Sequence, residues 1–503
     1  MDKKYCALKE YVSIFTNENL VVETNLSNDE INGTVKYISH DSADIKDGTL
    51  FVCKGAHFSK NYLKDALAKG AFAYVSEKAH GFEGIDSPRI IVSDIRKTMA
   101  LIADLYYDRA WEKLKLVGVT GTKGKSTTAF YLKYIIDDYL KSMGKPESAI
   151  LSSIDNYDGV IKEESHLTTP EIFMLHRHFN NAVESGIEFL SMEVSSQGLK
   201  YGRAQGVMFD VGCFLNIGED HISEIEHSDF EDYFSSKLLF FKQCKTACVN
   251  LKSAHIGRIL ECATADAAKV VTFGTAAEAD VYGYDISANQ GGVSFRVRTD
   301  SFDRDFELTM PGLFNVENAL AAIAACTELD IPADHIYSGL QKARSSGRME
   351  VFRGGGFDVV VDYAHNKMSF EALFESTLKE CPGKKILIVF GCPGYKALGR
   401  RRELGEIAGR YSSKVFLTEE DAGEEPVLDI CQEIAGHLKK MNCEYEIMPD
   451  RGEAIRKAIG SADENSVVLI TGKGRETRQK RGLEYVETPS DVDYVEKILN
   501  SSF

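Results

Sequence analysis

Residues 118–128 read Gly-Val-Thr-Gly-Thr-Lys-Gly-Lys-Ser-Thr-Thr. Glycines at 121 and 124 allow backbone N–H groups to approach phosphate oxygens closely, with Thr122, Lys123 and Thr127 between and beside them. A helix starting here would add the partial positive charge of its N-terminus. Lys125 has the reach for β- and γ-phosphates, and the Ser126 hydroxyl is suited to Mg2+. A strict GxxxxGK[ST] loop needs glycine at 119, where Val119 stands. The stretch is a variant phosphate loop, expected to bind ATP. The plainer alternative is a glycine-rich turn with an incidental lysine. It is disfavoured because an apolar strand, the loop and a helical pattern follow in the required order.

Other residues could join such chemistry. Glu193 ends the apolar stretch IEFLSMEVS, where a carboxylate can offer hard oxygen ligands to Mg2+; the bland reading is a solvated strand-end acid. His221 follows DVGCFLNI, with Asp220 beside it. Lys237 lies in FEDYFSSKLLFF, where it could equally be a helix-surface lysine. Asp362-Tyr-Ala-His365 and Gly472-Lys-Gly each follow a short apolar run. The stretch Thr418–Pro426 carries five acids, which suits a cationic ligand by Coulomb attraction or, equally, a solvated loop.

The elements that must position these groups alternate. The runs LKLVGVT, IEFLSMEVS, DVGCFLNI, DVVVDYA, KKILIVFG, KVFLTEE and SVVLITG read as strands, with helical stretches such as STTAFYLKYIIDDYL and RRELGEIAGRY between them. Alternation of this kind implies parallel sheets with helices on both faces, and ligands at the carboxyl ends of strands. The 503 residues suggest about three domains. Texture divides them at residues 1–110, 111–345 and 346–503.

A net charge of −17 argues against general affinity for nucleic acid or anionic membranes, while leaving room for a local basic pocket. No apolar run approaches the ~18 residues of a membrane span, and the N-terminus lacks the features of a signal peptide. The 11 cysteines include no CxxC pair; Cys244 and Cys248, the closest, would share a face on a helix. Buried free thiols in a reducing cytoplasm fit better than zinc.

The variant GTxGK[ST]T behind an apolar strand resembles the Mur ligases and their folylpolyglutamate synthetase relatives. Thr168-Thr169-Pro170, Glu193-Val-Ser195-Ser196, Asn216…Asp220-His221 and Tyr233…Lys237 follow in that family's order. So do Phe314-Asn315…Asn318, Gly347-Arg348-Met-Glu350, Asp362–His365 and Gly472…Glu476. The resemblance covers nearly the whole chain and points to the branch that adds the third amino acid of the peptide. It implies an α/β fold of three domains: a small N-terminal UDP-binding domain, a central P-loop ATPase-type parallel-sheet domain and a C-terminal Rossmann-like domain.

It also implies amide ligation. ATP would phosphorylate a carboxylate of UDP-N-acetylmuramoyl-L-Ala-D-Glu, and the amine of a diamino acid would attack the acyl phosphate. The implied catalytic residues are Lys125, Glu193, His221 and Lys237. Two Mg2+ sites would draw on Ser126, Glu193, His221 and a carbamylated Lys237, the modification turning a cation into a carboxylate-like ligand. Asn315, Arg348, Asp362 and His365 match nucleotide contacts; Asn315 could instead cap its helix. Ser42, Thr168, Thr169, Ser196 and Arg203 match contacts to the sugar nucleotide, although Ala43 replaces the usual Arg and FSKN at 58–61 departs from the common loop. Lys396, Glu420, Asp421, Gly472 and Glu476 match contacts to the amino acid. The stretch 418–426 lacks the arginine of diaminopimelate-using members, which favours L-lysine. Lys396 replaces a common arginine, and Arg400 or Arg401 could instead hold a carboxylate, so diaminopimelate stays open. The expected protein is a cytoplasmic monomer engaged with small molecules. A polyglutamate synthetase is disfavoured by TTP, EVSS and the N-terminal region, and a GTPase-like regulator by the lack of an NKxD motif. ATP motifs split between 121–237 and 315–365 imply a site assembled by closure.

Lys237 separates the functional from the bland reading. Lys237→Ala should abolish most ATP-dependent product formation, with partial recovery on adding short carboxylates; a variant as active as the parent would make it a surface lysine.

Overall fold

The computed structural model describes residues 5–55, 58–80, 87–165, 167–220, 222–223, 226–289, 292–345 and 347–502. Two compact units are formed, neither continuous in sequence. The first takes Met1–Gly118, Lys145–Gly212 and Leu239–Lys245; the second takes Val119–Gly144, Cys213–Leu238 and Thr246–Phe503.

In the first unit a five-stranded sheet runs in the order Val21–Thr24, Arg89–Val92, Ala71–Ser76, Thr49–Val52, Tyr37–Ser39. All pairs are parallel except the first. Strand alternation sends Leu50 and Val52 into one core with Leu8, Tyr11, Phe15 and Met99, while Phe51 and Cys53 face a second with Leu63 and Tyr74. Apolar residues on successive strand positions thus require helices on both faces. Helix Leu8–Asn17 buries Leu8, Tyr11 and Phe15, spaced as one helical stripe. Ile172 and Phe173, at the start of helix Ile172–Glu184, join the same core. That helix thereby ties the sheet to strand Phe189–Glu193, which pairs in parallel with Ala149–Leu151. Behind this pair lies a core of Trp111, Phe179, Met192, Phe209 and Phe240.

The second unit holds the phosphate loop and helix Lys125–Ser142. Helix Asn315–Glu328 packs against it, buried from Val316 and Asn318 through Cys326. A helix apolar on every side must be enclosed, and its alanines let neighbours approach closely. Strand Cys244–Asn250, in the part from Thr246, pairs in parallel with Lys269–Gly274, and that with Val281–Asn289. Strands Gly292–Arg298 and Asp303–Leu308 then extend the sheet in antiparallel fashion, which the parallel-sheet expectation did not include. Cys244 and Cys248 stand on a strand, not a helix, and both are buried free thiols.

A six-stranded sheet completes the second unit in the order Glu350–Gly354, Phe357–Asp362, Ser466–Thr471, Lys385–Phe390, Lys414–Leu417, Glu444–Ile447. Every pair is parallel except the first. Asp362, Thr471, Phe390 and Leu417 end four adjacent parallel strands, so the segments following them converge at one edge. Alternate residues feed two cores, Ile386, Ile388 and Phe390 one way and Leu387 and Val389 the other.

Helix Ala333–Lys342 packs on helix Lys125–Ser142 through Gly339, where a Cβ would lie 2.4 Å from the Ile135 Cα. Backbone cannot yield as a side-chain tip does. Gly339→Ala should therefore cost about 1–3 kcal/mol in urea unfolding, against the gain expected for Gly→Ala in an open helix; an unchanged midpoint would refute this close approach.

Candidate active site

The phosphate loop is held from behind. The Lys123 N–H donates to the Asn216 side-chain oxygen (2.9 Å), and the Asn216 amide donates to the Lys123 carbonyl (3.2 Å). The Thr122 hydroxyl lies 2.9 Å from the Tyr233 hydroxyl and accepts the Gly218 N–H (3.1 Å). Gly124, with φ +81°, precedes the helix at a point where a Cβ would strike the Asn318 oxygen at 2.1 Å. Gly is thus needed there for both conformation and space. Asn318 in turn donates to Asn315 (3.1 Å), whose own amide donates to the Pro311 carbonyl (2.7 Å). Asn315 is the first residue of its helix rather than its cap, which is Phe314.

Two lysines converge on one carbonyl. Lys125 donates to Gly121 O at 3.0 Å and Lys237 to the same atom at 2.9 Å. Lys237 is 1% exposed. Burial, reinforced by the Lys125 charge, holds its amine well below the ordinary lysine range. The amine of Lys123 is also buried, without a hydrogen-bond partner among the described residues, and burial lowers its pKa strongly, offset in part by Asp220 and Asp362. Ser126 and Thr127 are buried at the helix start, and Arg348 reaches the Ser126 hydroxyl at 3.4 Å. Arg348 also lies over the Tyr363 ring, 4.1 Å from its centre.

Asp362 is buried and accepts the N–H groups of Met349 (2.9 Å) and Ala364 (2.8 Å); burial raises its pKa, opposed by the Arg348 charge. His365 is turned onto the Tyr363 carbonyl (2.8 Å), and burial, with Arg400 nearby, brings its pKa down to about 3. Asp220 receives Arg400 (2.6 Å) and the Asn366 amide (2.6 Å). These contacts, all within the second unit, bring Ser126 to Arg348 and Asp220 to Asn366 and Arg400. His221 lies outside the described residues. Among the described residues no group of three or more His, Cys, Asp or Glu side chains is arranged to hold a metal.

At the strand edge, Glu420 is buried and its Oε2 has no hydrogen-bond partner among the described residues. Burial pushes its pKa up to about 8, against the pull of Arg451 and Arg400. Gly472, with φ +106°, faces it, and a Cβ there would lie 2.1 Å from that oxygen. Asp421 pairs with Lys473 (3.1 Å) and accepts the Lys480 N–H (2.8 Å). Glu476 pairs with Lys473 and accepts the Tyr363 hydroxyl. Arg400 is committed to Asp220, and Arg401 to Glu425 and Glu433 (2.6 and 2.7 Å). Lys396 is exposed, away from these pairings.

In the first unit, buried Glu193 accepts the Ser153 N–H (2.7 Å). Thr169 donates to the Glu193 carbonyl (3.1 Å) and accepts the Ser195 N–H (2.9 Å). Ser195 caps the helix Ser196–Lys200 by accepting the Gly198 N–H (3.0 Å). Ser195 therefore braces Thr169, a role the sequence reading did not assign, although the signature EVSS contains the residue. Arg203 donates to the Thr169 carbonyl (3.3 Å). Ser42 is half-buried in the turn after Asp41, whose carboxylate accepts the Ala43 N–H. Asn318 was the other residue missed; its place in the Phe-Asn…Asn signature was the available signal.

Residues 119–326 match the Mur ligase middle domain and residues 347–474 the Mur ligase, glutamate ligase domain. A Streptococcus thermophilus UDP-N-acetylmuramoyl-L-alanyl-D-glutamate–L-lysine ligase is 37% identical over 473 residues, 93% of each chain. The chain belongs to the Mur ligase family. A Clostridioides difficile 2,6-diaminopimelate ligase is 35% identical, over 90% of this ligase and 92% of that protein. A solved 2,6-diaminopimelate ligase shares the fold, with a TM-score of 0.68 at 24% identity over 99% of each chain. A MurF ligase from Thermotoga maritima, solved with ADP, superposes at 0.60 over 93% of this ligase and 96% of that chain, at 20% identity.

The Glu420 carboxyl of this ligase gives a pH signature. The folded chain keeps a proton that the unfolded chain releases near 4.5, so stability is fully present below that value and falls as pH rises through about 8. Glu420→Gln removes this dependence. The Tm of the variant relative to the parent should rise steadily between about pH 5 and pH 8.5; a constant difference would mean the carboxyl is not enclosed.

Proposed function

We propose that this ligase uses ATP to join L-lysine to the D-glutamate carboxylate of UDP-N-acetylmuramoyl-L-Ala-D-Glu, through an acyl phosphate, in peptidoglycan precursor synthesis. The observation that carries the choice of lysine is the arrangement around Glu420. An enclosed carboxyl with one unpartnered oxygen suits an incoming ammonium group, which would favour its ionised form. Arg400 and Arg401 are each paired with acids, so neither favours a distal carboxylate.

The loop residues Gly121–Thr127, with Lys123 and Lys125, are assigned to the phosphates of ATP. Asn315, Arg348, Asp362 and His365 are assigned to the rest of the nucleotide. Ser42, Thr168, Thr169, Ser196 and Arg203 are assigned to the sugar nucleotide; Glu420, Asp421, Gly472 and Glu476 to the amino acid, with Lys396 at the rim. A neutral, buried Lys237 amine is nucleophilic toward CO2, and the resulting carbamate would complement the Lys125 charge. Ser126, Glu193, His221 and the carbamate are the candidate ligands of Mg2+, which would offset the mutual repulsion of ATP and the substrate carboxylate. The domains we propose are 1–110, binding the UDP part of the sugar nucleotide, 111–345, binding ATP and lending Thr168, Thr169, Ser196 and Arg203 to the sugar nucleotide, and 346–503, binding the amino acid and lending Arg348, Asp362 and His365 to ATP. No described helix is long and apolar enough to cross a membrane, and we assign the ligase to the cytoplasm as a monomer, binding neither nucleic acid nor membrane.

The test is product formation with L-lysine, meso-diaminopimelate and related diamino acids in parallel, each with ATP and UDP-N-acetylmuramoyl-L-Ala-D-Glu. L-Lysine should give a kcat/KM at least about tenfold above the others. Preference for diaminopimelate would overturn the amino-acid assignment. Phosphate release indifferent to both the sugar nucleotide and the diamino acid would overturn the ligation itself.

A further inference from the structure

Within the first unit, a cluster of charge lies beside Thr169. Glu171 occupies the position before helix Ile172–Glu184, where its side chain could cap the helix, yet it makes no capping bond. Its carboxylate turns instead to two cations. Lys54, just beyond strand Thr49–Val52, is in direct contact with one oxygen, and the Arg203 Nε lies 2.9 Å from the other. Burial favours the neutral acid, but Lys54 and Arg203 outweigh it and hold the Glu171 pKa below its ordinary value. His40 lies alongside, its ring 5.7 Å from that of Phe173, and burial together with Lys54 depresses its pKa to about 4. Asp44 accepts the Tyr37 hydroxyl and Asp41 the Ala43 N–H; both also act on His40 by charge, too weakly to offset burial and Lys54. With His40 neutral, two cations share one carboxylate and the cluster carries a net positive charge. The side chains of Lys54 and Glu171 remain about a quarter exposed, at 26% and 28%. Solvent, and hence an anion, has access to them.

A carboxylate between two cations has two physical uses. It can brace the fold permanently, or it can keep the cations apart and oriented until a stronger anion takes its place. The net positive charge, the partial exposure and the link from Arg203 to the Thr169 carbonyl favour the second use. We propose that Lys54 is a further anion-binding residue of the sugar-nucleotide site, and that Glu171 is an internal counter-anion displaced from Lys54 and Arg203 when substrate binds. The inference rests on the sugar-nucleotide reading above. The displacing anion is a phosphate or a carboxylate, and the sugar nucleotide carries both.

The test is isothermal titration of the parent, Lys54→Met and Glu171→Gln with UDP-N-acetylmuramoyl-L-Ala-D-Glu, with UDP, and with L-Ala-D-Glu. Lys54→Met should weaken binding of the full sugar nucleotide about tenfold, the loss expected for one charge-assisted contact. Glu171→Gln should tighten it, by about threefold or more, because substrate no longer competes with an internal anion. The KM for ATP should stay within about twofold in both variants. A Lys54 effect confined to UDP marks the diphosphate as the displacing group; one confined to L-Ala-D-Glu marks the carboxylate. Weaker binding in Glu171→Gln would make the acid a structural brace and overturn the proposal, and that variant alone decides if Lys54→Met does not fold. Unchanged affinity in Lys54→Met, with product still formed, would overturn this inference and leave the proposed ligation standing. A parent that bound none of the three would overturn both.

Discussion

One carbonyl oxygen, that of Gly121, accepts hydrogen bonds from two ammonium-bearing side chains, Lys125 and Lys237. Two cations cannot share so small an acceptor in an enclosed place without cost, and burial relieves the conflict by disfavouring the charge on Lys237. The surrounding architecture follows from keeping this arrangement dry and fixed. Asn216 and Tyr233 hold the loop from one side, and Asn318 occupies the space that only a glycine at 124 leaves free. Helix Asn315–Glu328 can approach so closely because five of its eleven buried residues are alanine. An ordinary mixture of leucines would push the asparagine out of reach.

The same economy of charge recurs at the edge of the six-stranded sheet. Nearly every ionised group there has an opposite partner: Arg400 with Asp220, Arg401 with Glu425 and Glu433, Lys473 with Asp421 and Glu476, Arg451 with Asp491. Glu420 differs, with an enclosed oxygen left unmatched, and it adapts by holding its proton. Buried pairs of this kind contribute little net stability, but removing one partner is costly, so they fix orientation more than they add strength. The proposed amino-acid pocket is thus an electrostatic mould with one open valence.

Much of this was legible in the sequence. The phosphate loop, the strands ending at Glu193, Asp362 and Thr471, and the convergence of motifs at carboxyl ends all follow from short apolar runs closed by polar residues. The antiparallel strands between Val281 and Leu308 were not read, because their exposed faces dilute the apolar pattern; Gly291-Gly292 between two alternating runs was the available turn signal. Ion-pair partners were beyond reach for a different reason. Arg401 meets Glu425 only because helix Gly399–Tyr411 and the stretch after Leu417 are brought side by side by the strand order of the sheet. Likewise nothing in the sequence marks Glu171 as the partner of Lys54, 117 positions earlier.

The acidic stretch after Leu417 is stitched to a distant ribbon, strands Arg478–Arg481 and Glu484–Glu487. Asp421 takes the N–H of Lys480 and gives its own to Gln479, while Gly423 donates to the Lys480 carbonyl and accepts from Gly482. The ribbon ends in an exposed turn with Leu483 79% accessible, a position under little packing constraint. Substitutions accumulating in so permissive a turn would still tilt the ribbon, and with it the wall of the pocket. If Glu420 and Asp421 receive the amino acid as proposed, substrate preference can drift through residues that never touch the substrate, and a transplanted acidic stretch will keep its shape only if its ribbon travels with it.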